Sequence, residues 1–216
     1  MYKRQLLYVA DEVVTSFGRL GAFFASEEVF GMQPDIITTA KGLTSGYLPL
    51  GACIFSERIW QVIGEPGKGR CFTHGFTYSG HPVSCVAALK NIEIIERENL
   101  LAHVEEVGVY MEQRLQTLAE LPLVGSVRCK RLMACVEFVA DKRTKALLPD
   151  ALNIAERIHL RAQAKGLLVR PIGHLNVMSP PLIITRQQID EIVATLRDCI
   201  LEAAAELRQN GQYLGQ

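Results

Sequence analysis

The chain has 216 residues, of which 23 are basic and 23 acidic, so its formal net charge is zero. Hydrophobic residues make up 49% and charged residues 21%, ordinary globular values that exclude disordered and fibrous classes. A neutral chain with no basic block also excludes nucleic-acid binding as its main task.

Residues 1–5, MYKRQ, are polar, and at Leu6 the sequence enters LLYVADEVV. An apolar run that ends in acidic residues reads as a buried parallel strand whose carboxyl end meets a site. No helix or strand precedes it, although a buried parallel strand needs a neighbour on each side. The expectation is a C-terminal portion of a longer enzyme, with MYKRQ foreign to it. FGRLG at 17–21 reads as a turn. Ser26 is placed to N-cap a short helix through Phe30 that Gly31 stops. A second buried strand is expected at 36–39, followed by Lys41 and Gly42 in a loop. A third runs from about 50 to 55, with a helix at 56–63 and a loop at 64–69. Residues 72–82, FTHGFTYSGHP, are rich in glycine and hydroxyl groups. A helix begins near Val83, just after the proline.

The second half has a different texture. Leu100, Val104, Val107, Met111, Leu115 and Leu118 recur at steps of three and four, the spacing of an amphipathic helix. Strands are expected at 124–127 and 133–139. Asp150 is placed to cap a helix ending at Lys165, with Gly166 after it, and short strands follow at 167–171 and 175–178. Thr185 and Gln188 match a capping box ahead of a final helix, and residues from Gly211 read as a frayed tail. The chain is therefore expected to divide into residues 1–98, strand-loop-helix with long glycine-rich loops, and residues 99–216, a compact α+β unit.

No apolar run approaches the length of a bilayer span and no leader pattern opens the chain, so no membrane association and a cytoplasmic location are expected. The six cysteines read as reduced thiols. Cys71, His74, His81 and Cys85 have a spacing that matches no zinc module, and no metal is expected.

The chemistry concentrates at two strand ends. Asp11 closes the first strand and Lys41 lies just past the second, in the crevice where open α/β sheets bind ligands. A desolvated lysine can attack a carbonyl to form a Schiff base, and a carboxylate is the partner that a pyridinium nitrogen requires. Together they point to pyridoxal phosphate. From spacing alone, a lysine is more often a solvated surface residue.

The segments DEVVTSFGRLG at 11–21, PDIITTAKGLTSGYLPLGA at 34–52 and FTHGFTYSGHP at 72–82 resemble the signature of class III aminotransferases. VRPIG at 169–173 and SPPLIIT at 179–185 are similar to the ω-amino-acid and amine:pyruvate members of that family. The resemblance implies an α/β protein of the fold type I transferases that depend on pyridoxal phosphate. This chain would hold the C-terminal part of the large cofactor domain, mainly a parallel sheet, and a complete C-terminal α+β small domain. Lys41 is then the Schiff-base lysine and Asp11 the partner of the ring nitrogen. Val13 packs on one face of the ring; plain strand core is its alternative reading. Thr77 reaches the cofactor phosphate of the neighbouring subunit in a homodimer, or is merely a turn residue. Arg170 is the mobile arginine that binds a substrate carboxylate, or a surface charge.

The implied function is transfer of an amino group from an ω-amino acid or amine to a keto acid such as pyruvate. An ornithine, 4-aminobutyrate or biotin-precursor aminotransferase, an aminomutase and a non-catalytic truncated subunit remain alternatives. Leu20, where the family usually carries a small polar residue, and His174 near the arginine depart from the pattern. The family's glycine/serine phosphate loop and its second ring-stacking aromatic are absent from these residues, so the chain alone is expected to bind cofactor weakly.

Overall fold

A computed structural model describes residues 6–64, 69 and 71–212. The readings of residues 1–5 as foreign, of most of the 64–69 loop and of the tail beyond 212 lie outside the described residues. The chain forms two compact units, Met1–Ala102 and His103–Gln216.

The first unit is built on a three-stranded sheet of order β1-β2-β3: β1 Val9–Asp11, β2 Ile36–Thr39 and β3 Ala52–Phe55. β1 and β2 are parallel, with Asp11 opposite Thr38. A crossover containing the short helix α1, Ala25–Glu28, joins them. β3 runs antiparallel to β2, with Cys53 opposite Thr38. Helices α2 Glu57–Ile63 and α3 Pro82–Arg97 complete the unit. Pro82 starts α3, where its missing N–H costs nothing. Phe17, Leu43, Ala88 and Ile95 form a small buried cluster, with the Phe17 ring edge-on to Phe23 and Phe24.

Two expectations fail here. The first strand is not a buried strand over residues 6–11: it has three residues, lies at the sheet edge, and leaves Val9 half exposed. Ser26 is not an N-cap. It lies inside α1, Phe24 occupies the cap position, and the Glu12 carboxylate satisfies the helix's free N–H groups instead. Large apolar side chains of this unit face solvent, among them Tyr47, Phe76, Tyr78, Val86 and Leu89.

The second unit is an antiparallel sheet of order β4-β5-β7-β6: β4 Val124–Lys130, β5 Met133–Phe138, β6 Arg170–Ile172 and β7 Leu175–Met178. Its core joins one face of the sheet to α5 Ile154–Ala164, α6 Arg186–Gln209 and the amphipathic α4, Leu100–Gln116. Val104, Met111, Leu115, Val136, Phe138, Ile158, Leu196 and Ile200 are fully buried there. Apolar burial on this scale is the main stabilising force of such a unit.

Thr185 and Gln188 form the expected capping box at the start of α6. Asp150 does not cap α5: it belongs to a separate short turn, and Asn153, in the left-handed conformation, precedes the helix. Gly166 follows α5 with φ +87°, as expected of a residue just past a helix end.

All six cysteines are free thiols. Burial pushes Cys129 up to about 12, so it stays a protonated, unreactive thiol at neutral pH. Among the described residues, no helix is long and apolar enough to cross a membrane.

Candidate active site

Parallel pairing decides the geometry of the candidate site. Because β1 and β2 run the same way, Asp11 and the residues after Thr39 emerge from the same end of the sheet. Asp11 is the last residue of β1, and Lys41 follows β2 after the single linking residue Ala40. The sheet thus brings an acid and an amine together at the carboxyl ends of neighbouring strands, the usual position of ligand sites in such sheets.

Asp11 is exposed, and its Oδ1 accepts the Val13 N–H at 3.1 Å. Among the described residues, no hydrogen bond or ion pair engages Oδ2. Val13 is half-buried and lies in the turn after β1, outside the strand, so a strand-core role does not apply to it.

Lys41 opens a tight turn, Lys41–Thr44, with φ +39°. A left-handed backbone at a residue with a Cβ is strained, and such strain persists only where the surroundings enforce it. Gly42 is one reason it persists: a Cβ there would lie 3.1 Å from both Phe17 Cβ and the Ser16 carbonyl oxygen. The turn therefore packs against the segment that follows Asp11. Further along, the Thr44 hydroxyl donates to the Leu48 carbonyl at 2.6 Å. Lys41 itself is exposed, and among the described residues no hydrogen bond or ion pair engages its ammonium group.

Beneath these two residues lies a polar network that the sequence reading missed. Glu12 is 3% exposed. Its Oε2 accepts the Ala25 N–H at 2.8 Å and the Thr15 hydroxyl at 2.9 Å, and its Oε1 accepts the Ser26 N–H at 2.6 Å. Burial pushes the Glu12 carboxyl up, but the hydrogen bonds from Ser26, Ala25 and Thr15 outweigh it and hold it below its ordinary value. The Ser16 hydroxyl lies 2.7 Å from the Glu12 carbonyl oxygen and 2.6 Å from Thr39 Oγ1. On α3, Asn91 Nδ2 donates to the Gly42 and Leu43 carbonyls at 2.8 and 3.2 Å. Two signals for these residues were available. An acid inside an apolar segment needs buried partners, and an asparagine in a helix interior is a poor helix former that often has a side-chain task.

Thr77 lies in an exposed turn ahead of α3, beside a short loop closed by the Phe76 N–H donating to Ser79 Oγ at 2.8 Å. The His74 ring packs against Phe72 and Phe76. Among the described residues, no group of three or more His, Cys, Asp or Glu side chains is placed to hold a metal ion.

In the second unit, Arg170 is exposed at the start of β6, opposite Val177. His174 Nε2 lies 2.8 Å from the Leu148 carbonyl. A carbonyl oxygen only accepts, so Nε2 carries the proton and that nitrogen is committed to the backbone. Leu20, a departure from the family pattern, is 2% exposed and acts as core.

Residues 2–200 match the family model described as aminotransferase class-III. The chain is 41% identical to an uncharacterized aminotransferase of Sinorhizobium fredii, covering 98% of this chain and 46% of that protein. It is 40% identical to a putrescine–pyruvate aminotransferase of Pseudomonas aeruginosa, covering 94% of this chain and 44% of that protein. Among solved structures it superposes with a TM-score of 0.87 on an amine transaminase from an uncultivated Pseudomonas species in its PLP-bound form. That match is 42% identical and covers 92% of this chain and 45% of the other. The chain spans less than half the length of the curated relatives it matches. It belongs to the class III aminotransferases.

Proposed function

We propose that the protein carrying this chain transfers an amino group from an ω-amino acid or a simple amine to a keto acid such as pyruvate, using pyridoxal phosphate. One observation carries the reading: Asp11 and Lys41 leave the same end of two neighbouring parallel strands.

The residues fit the cofactor. A Schiff base needs a primary amine that no carboxylate has claimed, which Lys41 provides. A pyridine nitrogen that must stay protonated needs an anion with a free oxygen, which Asp11 Oδ2 provides. Val13, half-buried one turn from Asp11, offers an apolar surface for a flat ring. The Thr77 hydroxyl suits a phosphate oxygen, in the proposed homodimer that of the other subunit.

When bound, pyridoxal phosphate supplies an aldehyde for imine chemistry and a cationic ring that withdraws electrons from the carbon bearing the amino group. The Asp11 carboxylate would hold the proton on the ring nitrogen. Lys41 would hold the cofactor through Nζ, and the same amine, once free, would be the base that moves a proton at the amino-bearing carbon of the substrate. The Arg170 guanidinium forks onto the carboxylate of an amino or keto acid and is not needed by an amine that lacks one.

A Lys41→Ala variant of the full-length protein tests this reading against a panel of amine donors and keto-acid acceptors. Native circular dichroism with turnover reduced by about 10³-fold or more supports it, since positioned proton transfer alone contributes 10²–10⁴-fold. Turnover retained at the parent's rate overturns it.

A further inference from the structure

We propose that Asn91 is a positioning residue for Lys41, its side-chain amide on α3 fixing the turn that aims the lysine. The proposal rests on Lys41 being the amine that holds the cofactor.

Lys41 begins its turn at φ +39°, a conformation that an unconstrained lysine leaves for the right-handed region. Something must hold it there. Apolar packing contributes through Leu43, buried against Phe17, Ala88 and Ile95. Apolar contacts resist separation but tolerate rotation and sliding, because they are not directional. Hydrogen bonds fix orientation.

Asn91 supplies that direction. Its Nδ2 reaches the carbonyl oxygens of Gly42 and Leu43, at 2.8 and 3.2 Å, from 49 and 48 residues away in sequence. Each carbonyl sets the plane of a peptide within two residues of Lys41. Holding both fixes the path of the chain just after the lysine, and with it the direction of its Cα–Cβ bond. Among the described residues, no other side chain donates to either carbonyl. Asparagine is also a poor choice for the middle of a helix, so its place in α3 has a cost in local propensity that this tertiary contact offsets.

Without the amide the turn can relax and the lysine loses its single orientation. Misplacement of a reacting group by about 1 Å costs up to roughly 100-fold in rate. The loss falls on the chemical step and leaves substrate binding largely untouched.

The test compares Asn91→Ala with Ile95→Ala in the full-length protein loaded with pyridoxal phosphate. Ile95 sits on the same helix, in the buried cluster, and makes no polar contact with the turn. The expected result for Asn91→Ala is amide hydrogen exchange at residues 42–46 faster by about tenfold or more. Its kcat falls by about 10- to 100-fold and its KM for the amine stays within about twofold. Ile95→Ala loosens the non-directional packing under Leu43 and lowers the melting temperature at least as much, yet changes exchange at those residues and kcat clearly less than Asn91→Ala does, by no more than about threefold. Parent-like exchange and kcat in Asn91→Ala overturns the proposal, as does the same pattern in both variants, which makes Asn91 merely structural. If borohydride traps the cofactor on a residue other than Lys41 in the parent, the functional reading fails and takes the proposal with it. Trapping on Lys41 with unchanged exchange in Asn91→Ala sinks the proposal alone.

Discussion

The hydroxyls of Ser16 and Thr39 lie 2.6 Å apart and buried. Ser16 follows Asp11 by five residues and Thr39 precedes Lys41 by two, so this contact ties together the two segments that carry the candidate chemistry. Ser16 has one hydroxyl proton, and the Glu12 carbonyl 2.7 Å away can only accept it. Thr39 must then donate to Ser16.

Ser16→Ala leaves the buried Thr39 hydroxyl without this partner and is expected to destabilise the protein by about 1–3 kcal/mol. Thr39→Val leaves Ser16 its bond to the Glu12 carbonyl and is expected to cost less, about 0.5–1.5 kcal/mol. The double variant costs less than the sum of the two, because each single change already removes the shared bond. Urea unfolding of the four proteins in the cycle gives the coupling; strict additivity would show that the two hydroxyls do not interact.

Glu12 gives a pH signature. Its folded-state pKa lies below the ordinary carboxylate value of 4.5, so its stabilising contribution is fully present above pH 4.5. That contribution declines as pH falls below 4.5 and through the depressed folded value. Glu12→Gln puts an amide where three donors converge and is expected to cost about 1–3 kcal/mol at pH 7. Melting temperature followed from pH 7 to pH 3 should fall less steeply in the variant below pH 4.5. Parallel curves would mean that Glu12 is not the group responsible.

Gly42 allows the close approach that the Lys41 turn requires. A methyl group there meets Phe17 Cβ and the Ser16 carbonyl at 3.1 Å, and one of these contacts is backbone, which cannot rotate aside. Gly42→Ala should destabilise by about 1–3 kcal/mol and lower turnover with little change in KM. A thermal midpoint equal to the parent's would show that the turn has slack.

On the proposed reading, Arg170 would separate two substrate classes. A charge-assisted hydrogen bond contributes about 1.5–3 kcal/mol, which is roughly 10- to 150-fold in affinity. Arg170→Ala should lower kcat/KM by about that factor for an ω-amino acid and leave an amine without a carboxylate within about twofold. Steady-state kinetics with a matched donor pair, differing only in the carboxylate, decides it; equal losses on both donors would remove Arg170 from substrate binding.

What the sequence reveals and what it hides divide along a physical line. β2 is legible at its observed bounds because a β-branched run between Pro34-Asp35 and Lys41-Gly42 leaves little choice. The start of α3 at Pro82 and the Thr185–Gln188 capping box are legible because each signal spans four residues or fewer. Asp11 and Lys41 are picked out by their places at strand ends. Glu12, Ser16 and Asn91 stay hidden because their partners lie 13, 23 and 49 residues away. The same distance defeats Ser26: it carries a local cap signal, but a buried carboxylate from the end of β1 takes the task first. Asp150 fails differently, since it caps nothing while Asn153 adopts the left-handed turn that starts α5. β1 carries the composition of a buried strand but has one strand neighbour among the described residues, so its outer face stays open.

Every role proposed above depends on Lys41 being the amine that binds the cofactor. Reducing the pyridoxal-phosphate-loaded full-length protein with borohydride, then digesting it and sequencing the labelled peptide, tests this most directly. A single pyridoxyl label is expected on Lys41, in the peptide that contains TTAKGLTSG. A label on any other lysine, with Lys41 unmodified, contradicts it.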